Sequence, residues 1–338
     1  MSEGKRIAVV GAGSWGTALG IIAGRAGHSV RLWSRNAKVV EAINRDRVNS
    51  IYLAPHLIPE SVRATADLDE ALTSAELVLM AAPSHVTREL LARMLPRLKP
   101  EMIFVSATKG IETETGKRIS EIVRDVTAAH FDARFVCLSG PSFAQEVAQG
   151  QPTAIVAASL SLEDSRMVQT ALSFQNLRIY TNTDLTGTEI GGSVKNVMAV
   201  AAGMVAGLGL GTNSVAALIT RGLAEVARLG LAAGARMETM MGLAGLGDLV
   251  LTCTGDLSRN RYVGQELGRG RTLPDIIGGM REVAEGVRTT RAVKRLAERL
   301  SVEMPITDEV HAVLYEGKTA RAASVALMTR PLRDEFER

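Results

Sequence analysis

Three groups of residues have types and spacing that could do chemistry. The first is Gly11-x-Gly13-x-x-Gly16, which follows the apolar run Ile7 to Val10 and precedes Thr17 to Arg25, a stretch of good helix formers. Strand, glycine turn and helix in that order make a dinucleotide site. Gly11 permits the tight turn, Gly13 lets the backbone approach a pyrophosphate, and Gly16 lets the helix pack on the strand. The diphosphate then meets free N–H groups at a helix N-terminus. The second group is Gly191-Gly192-Ser193-Val194-Lys195-Asn196, at the expected start of the most apolar helix. An unpaired buried ammonium is very costly, so Lys195 either snorkels to solvent or faces a polar cleft. Beside a dinucleotide, desolvation and neighbouring positive charge would lower its pKa and let it give and take a proton. The third is Gly242-Leu243-Ala244-Gly245-Leu246-Gly247-Asp248, then Thr252, then Ser258-Arg259-Asn260-Arg261. Hydroxyl, forked cation and amide in succession suit a phosphate, although a solvated loop or helix cap would use the same residues, and Asp248 could be a cap.

The second strand, Val30 to Trp33, bears on the nucleotide. A free ribose 2′-OH is usually met by an Asp or Glu about 20 residues past the glycines, whereas this strand ends in Ser34-Arg35-Asn36. An arginine without an acid suits a 2′-phosphate, which favours NADP(H) while leaving NAD(H) open. Tyr52, in the loop from Val48 to Pro59, either covers the nucleotide or packs.

These groups need a scaffold. Further strand-like runs occur at Leu77 to Ala81, Met102 to Ser106, Arg134 to Leu138 and Thr153 to Ala157, with helical patterns at Ala37 to Arg47, Arg88 to Met94 and Gly116 to Val126. Such alternation predicts a Rossmann-like, doubly wound, largely parallel α/β sheet with ligands beyond the carboxyl ends of its strands. Three strand ends on that edge are unusual: Ala82-Pro83-Ser84-His85, Ala107-Thr108-Lys109-Gly110 and Ser139-Gly140-Pro141-Ser142-Phe143-Ala144. Lys109 is either a surface charge or a ligand contact, and Gly140-Pro141 is first of all a turn. From about Thr183 only Gly-punctuated helical patterns follow: Val194 to Met204, Val215 to Leu229, Arg288 to Leu300 and Asp308 to Tyr315. The expected division is therefore a dinucleotide-binding domain at 1–185 and an all-α, substrate-binding domain at 186–338.

Composition narrows the classes of function. With 39 Lys and Arg against 36 Asp and Glu, the formal charge of +3 is too even for a nucleic-acid protein. No basic recognition helix supports the rival reading of a nucleotide-sensing regulator. The apolar stretch Val197 to Leu210 is shorter than the roughly 18 residues a membrane span needs. The N-terminus leads directly into the first strand, so no signal peptide is expected. Cys137 and Cys253 fit reduced thiols in a cytoplasmic protein, and the five scattered histidines suggest no metal site.

Taken together, the chain resembles bacterial glycerol-3-phosphate dehydrogenase over nearly its whole length. The likeness runs through residues 11–18, 107–110, 139–144, 194–196, 245–248 and 258–261. It implies reversible reduction of dihydroxyacetone phosphate to sn-glycerol 3-phosphate, serving glycerophospholipid synthesis, in a homodimer formed through the helical half. It also implies residue roles. Gly11, Gly13, Ser14, Trp15, Gly16, Arg35, Tyr52, Ala144, Val283 and Glu285 match cofactor positions. Gly140, Ser142, Asp248, Ser258 and Asn260 match substrate positions; Lys109 and Arg259 match both. Lys195 matches the catalytic lysine, which also touches substrate, with Asn196 and Thr252 in support. Asn36 departs from the pattern, since many relatives carry a second basic residue there, and this weakens the NADP(H) preference. The alternative is a lysine-dependent hydroxyacid dehydrogenase acting on a sugar-acid phosphate or small hydroxyacid. Those enzymes usually show Lys-x-x-Asn, whereas Lys195 and Asn196 are adjacent.

Overall fold

Strands and helices alternate through the first half of the computed structural model, which describes residues 4–280, 284–332 and 334–335. The strands are β1 (Arg6–Val10), β2 (Ser29–Trp33), β3 (Val62–Thr65), β4 (Leu77–Met80), β5 (Ile103–Ser106), β6 (Arg134–Ser139), β7 (Thr153–Ala158) and β8 (Leu177–Asn182). Between them lie α1 (Ser14–Arg25), α2 (Ala37–Asp46), α3 (Leu68–Leu72), α4 (Thr87–Met94), α5 (Ile119–Thr127), α6 (Ala144–Gln149) and α7 (Leu162–Leu172). The second half is helical: α8 (Leu185–Gly207), α9 (Thr212–Ala232), α10 (Met237–Met240), α11 (Asp248–Thr254), α12 (Arg259–Gly268), α13 (Leu273–Gly278), α14 (Glu285–Arg299), α15 (Pro305–Tyr315) and α16 (Ala320–Met328).

The eight strands form one sheet in the order β3-β2-β1-β4-β5-β6-β7-β8, parallel throughout except between β6 and β7. The doubly wound α/β architecture is thus as the alternation predicts, with two additions. β3 and β8 are not distinguished by the sequence pattern. The first is a four-residue edge strand, and the second lies against β7 at the far edge. The helix expected from Gly116 begins instead at Ile119, because Gly116 has φ +68° and Arg118 is the N-cap, its N–H donating to Glu121. Register pairs Val10 with Trp33 and Met80, Met80 with Ser106, and Ser106 with Cys137. The carboxyl ends of β1, β4 and β5 therefore finish level, β6 runs two residues further to Ser139, and the order reverses between β1 and β4. A crevice at such a switch point is where an open α/β sheet binds its ligand.

α8 is the axis of the helical half. By length and composition it could cross a membrane, but 83% of its most apolar window is buried inside the protein, which makes it a core helix. It crosses α12 through backbone contact. A Cβ on Gly264 would lie 1.9 Å from Val200 O, and one on Gly203 would lie 2.0 Å from Arg261 O. Only glycines allow this approach.

Two buried carboxylates tie elements together. Glu189 on α8 accepts from Ser120 N at 2.7 Å, Ser120 Oγ at 2.6 Å and Arg118 Nη1 at 2.9 Å, joining α8 to the start of α5. Glu225 on α9 accepts from Ile306 N at 2.6 Å and Thr307 N at 3.3 Å, satisfying two of the donors that the N-terminus of α15 leaves open. Burial raises the pKa of both, that of Glu225 to about 7. Cys137 and Cys253 are free and buried.

Candidate active site

The glycine turn lies at the carboxyl end of β1. Gly11 has φ +115°, and a Cβ on Gly16 would come within 1.8 Å of Gly11 O, so helix and turn are in van der Waals contact at that point. Gly13, the N-cap of α1, brings no side chain to the helix end, and a Cβ placed on it would meet nothing within 4 Å. The space before this N-terminus is open and the dipole end faces it, as a pyrophosphate requires. Trp15 packs against the apolar core that includes Val9, Leu19, Ile21 and Leu32, and its buried indole N–H has no partner among the described residues. An orphaned donor beside an open helix end fits a bound dinucleotide.

The other residues expected to meet the cofactor lie on several elements. Arg35 follows β2 and is exposed, whereas Asn36 is engaged as the N-cap of α2, its Oδ1 accepting from Lys38 N at 3.0 Å. Tyr52 and Ala144 pack partly buried against the same core as Trp15. Val283 lies outside the described residues. Glu285 is the first residue of α14 and is held by Ser84, from the carboxyl end of β4.

Lys195 is the main correction to the local reading. Gly191 and Gly192 do not precede the helix but lie within it: α8 starts at Leu185, where Asp184 Oδ1 accepts from Gly187 N at 2.8 Å. Lys195 thus occupies the third turn of a buried helix, far from a solvated end. Its ammonium donates to Asp248 Oδ1 at 2.8 Å and to Thr252 Oγ1 at 2.7 Å. The Thr252 hydroxyl donates to Asp248 O at 2.6 Å, which turns its lone pairs toward the ammonium. Asp248 is not a cap either. Gly247 is the N-cap of α11, and the Asp248 side chain turns inward, where Oδ2 accepts from Lys109 Nζ at 2.6 Å. Lys109 also donates to Gly140 O at 3.0 Å, and Ser142 Oγ donates to the same carbonyl at 3.0 Å. A single buried carboxylate is therefore shared by one lysine from the sheet and one from α8.

Burial is the largest influence on Lys195, and with Lys109 nearby it brings the pKa down to about 8 against the opposing pull of Asp248. Burial alone would raise Asp248, but Lys109 and Lys195 outweigh it and hold the carboxylate below its ordinary value.

The polar cluster continues at the next residue of α8, Asn196. Asn260 Nδ2 donates to Asn196 Oδ1 at 2.9 Å, and Asn260 Oδ1 accepts from Gly286 N at 2.8 Å, linking α8, α12 and α14. Ser258 is the N-cap of α12, its Oγ accepting from Arg261 N at 3.2 Å. Arg259 opens that helix and acts electrostatically on Glu285. The capping and ligand readings of Ser258 are thus compatible.

Two further residues stand in this region, Asn49 without any mark in the sequence pattern and Ser84 marked only as part of an unusual strand end. Asn49 donates to Ala12 O at 2.9 Å and to Thr17 Oγ1 at 2.8 Å, bracing the glycine turn. Ser84 grips Glu285 from 201 positions away. No group of His, Cys, Asp or Glu suited to a metal occurs among the described residues.

Comparison with known proteins gives the same picture along both halves. Residues 6–165 match the family model described as NAD-dependent glycerol-3-phosphate dehydrogenase N-terminus, and residues 184–324 match its C-terminus. The chain is 56% identical to a glycerol-3-phosphate dehydrogenase [NAD(P)+] of Koribacter versatilis, covering 96% of this chain and 97% of that one. It is 51% identical to the Geobacter sulfurreducens protein of the same name, covering 99% of each. The crystal structure of a glycerol-3-phosphate dehydrogenase from Coxiella burnetii, 39% identical, superimposes with a TM-score of 0.93 over 97% of this chain and 99% of that one.

Proposed function

The chain belongs to the NAD-dependent glycerol-3-phosphate dehydrogenase family, and on that premise we propose how its residues carry out the reversible reduction of dihydroxyacetone phosphate to sn-glycerol 3-phosphate. The observation that carries the mechanism is Asp248 held between Lys109 and Lys195.

When bound, the reduced nicotinamide supplies the hydride to substrate C2. Lys195, as the ammonium, gives its proton to the oxygen that becomes the hydroxyl, and is left as a neutral amine that solvent reprotonates. In the oxidative direction it takes that proton back. A pKa near 8 suits both roles, since neither protonation state is strongly disfavoured at neutral pH. Asp248 orients Lys195 through Oδ1 and Lys109 through Oδ2. Lys109 adds positive charge where the oxygen becomes an alkoxide. Ser258, Arg259 and Asn260 hold the phosphate and fix the carbonyl, which is an orientation effect. Gly140 and Ser142 complete the floor beneath the substrate.

The turn of Gly11, Gly13 and Gly16, with Ser14 and Trp15, takes the pyrophosphate. Arg35, Tyr52, Ala144, Val283 and Glu285 contact the rest of the nucleotide. Relatives are named for NAD(P)+, and both nucleotides fit this chain. The exposed Arg35, with no acid beside it, supports a preference for NADP(H). We read residues 1–185 as the nucleotide unit and 186–338 as the substrate unit. The family resemblance supports a cytoplasmic homodimer that supplies glycerol phosphate to lipid synthesis.

Steady-state kinetics with dihydroxyacetone phosphate and each reduced nucleotide, against a panel of hydroxyacids in the reverse direction, test this reading. Turnover of the triose phosphate well above any hydroxyacid is expected. The opposite ranking would overturn it.

A further inference from the structure

β4 ends at Met80, and the chain then passes through Ala81, Ala82 and Pro83 into a 3₁₀ turn at Ser84–Val86. This segment is pinned from the loop after β5, because Thr108 Oγ1 donates to Ala82 O at 2.7 Å. Ser84 itself is buried at 4% exposure and offers two donors to one partner. Its Oγ donates to Glu285 Oε2 at 2.6 Å, and its N–H donates to Glu285 Oε1 at 3.4 Å. The shorter bond is in the range of an O–H donating to an ionised carboxylate. Two donors from one residue to both oxygens fix the plane of the carboxyl group as well as its position. The site is also fitted around the pair. A Cβ on Gly110, next to Lys109, would come within 2.6 Å of Ser84 Cβ and 3.5 Å of Glu285 Oε2, so a side chain there would displace the serine. On its other side Glu285 feels the charges of Arg259 and Arg288.

We propose that Ser84 is a positioning residue for nucleotide binding: it holds Glu285, and with it the N-terminus of α14, against the crevice at the end of β4. This rests on the reading above that Glu285 contacts the nucleotide. Ser84 touches neither the reacting atoms nor the lysine cluster. Its loss acts through Glu285 on the cofactor and spares the triose phosphate.

The test uses the full chain with Ser84→Ala, Ser84→Cys, Glu285→Ala and the double variant Ser84→Ala/Glu285→Ala. NAD(P)H affinity is measured directly by quenching of protein fluorescence, and KM values come from steady-state assays. Ser84→Ala should weaken NADPH binding by about tenfold while the KM for dihydroxyacetone phosphate moves less than about twofold. Ser84→Cys, which keeps the volume and a weak donor, should fall between Ser84→Ala and wild type, and it serves if the alanine variant fails to fold. In the Glu285→Ala background, Ser84→Ala should add less than about twofold, because the two residues act as one unit. NADPH affinity unchanged or tightened in the Ser84 variants, or a full additional loss in the double variant, overturns the proposal. Absence of wild-type turnover on dihydroxyacetone phosphate would instead overturn the reading of the reaction, while the binding titration would still decide the role of Ser84.

Discussion

Lys195 Nζ lies 2.8 Å from Asp248 Oδ1, and that carboxylate simultaneously binds Lys109 through its other oxygen. One negative charge thus serves two cations, Lys195 buried and Lys109 partly buried. The local excess of positive charge keeps Asp248 ionised and leaves Lys195 with a proton it can release. Replacing Asp248 with Asn keeps the shape and removes the charge. Turnover of Asp248→Asn should fall by about 10²-fold or more. The pKa governing the remaining activity should move below that of the wild type, because the main partner raising Lys195 has been neutralised. A pH–rate profile of the variant reads both effects.

In the wild type, the direction of the pH dependence differs between the two reactions. Reduction needs the ammonium of Lys195 and should decline as pH rises through about 8. Oxidation needs the free amine and should decline as pH falls through the same value. Profiles of kcat in both directions, crossing near one pKa, are the expected result.

Lys195→Ala should lose about 10²- to 10⁴-fold in kcat, the usual size of a positioned acid–base group. Cofactor affinity, measured by titration, should be retained. Arg259→Ala, by contrast, should act mainly as a higher KM for dihydroxyacetone phosphate, with weaker nucleotide binding beside it, because it removes uniform binding.

Gly264→Ala would force a Cβ to within 1.9 Å of Val200 O at the crossing of α8 and α12. Both partners are backbone, so the helices must separate, at a cost of about 3 kcal/mol. A clear drop in melting temperature is expected, with loss of the Asn196–Asn260 contact and so of activity.

Glu225 ties stability to pH. Its folded pKa of about 7 exceeds the ordinary 4.5, so the folded state holds a proton that the unfolded chain releases. Stability from this group is present below about pH 4.5 and is lost as pH rises through about 7, a change of roughly 3 kcal/mol. Glu189 and Glu285 are shifted in the same direction. Denaturant melts from pH 5 to 8 should show a shallower decline for Glu225→Gln than for the wild type.

The parts of this structure legible in the sequence are those whose cause is local. The turn at Gly11, Gly13 and Gly16 is written in contiguous residues, and so are β1, β2 and the long apolar helices. β3 is four residues at a sheet edge, Val-Arg-Ala-Thr, too short for its alternation to stand out. Leu177 to Asn182 does alternate between buried and exposed, but it lies where the helical pattern is about to begin. The direction of β7 is not a property of its side chains at all. Lys195 was readable as chemically unusual but not as mid-helix, because Gly191-Gly192 resembles a break until Ala244 and Ser139 are seen packed against it. Ser84 stands on a strand end that the sequence marks as unusual, but its pairing with Glu285 leaves no local sign, since the two are 201 residues apart.

α8 has almost no face toward water, and Lys195 sits on it at a fixed angular phase. Adding or deleting one residue between Leu185 and Lys195 would swing the ammonium by about 100° around the helix axis, into the apolar interior and away from Asp248. Loops in this molecule can lengthen or shorten at little expense, but the count along this rod cannot drift by a single position. Over evolutionary time α8 should behave as a ruler: its residues may exchange, while its length from Asp184 to Asn196 stays frozen.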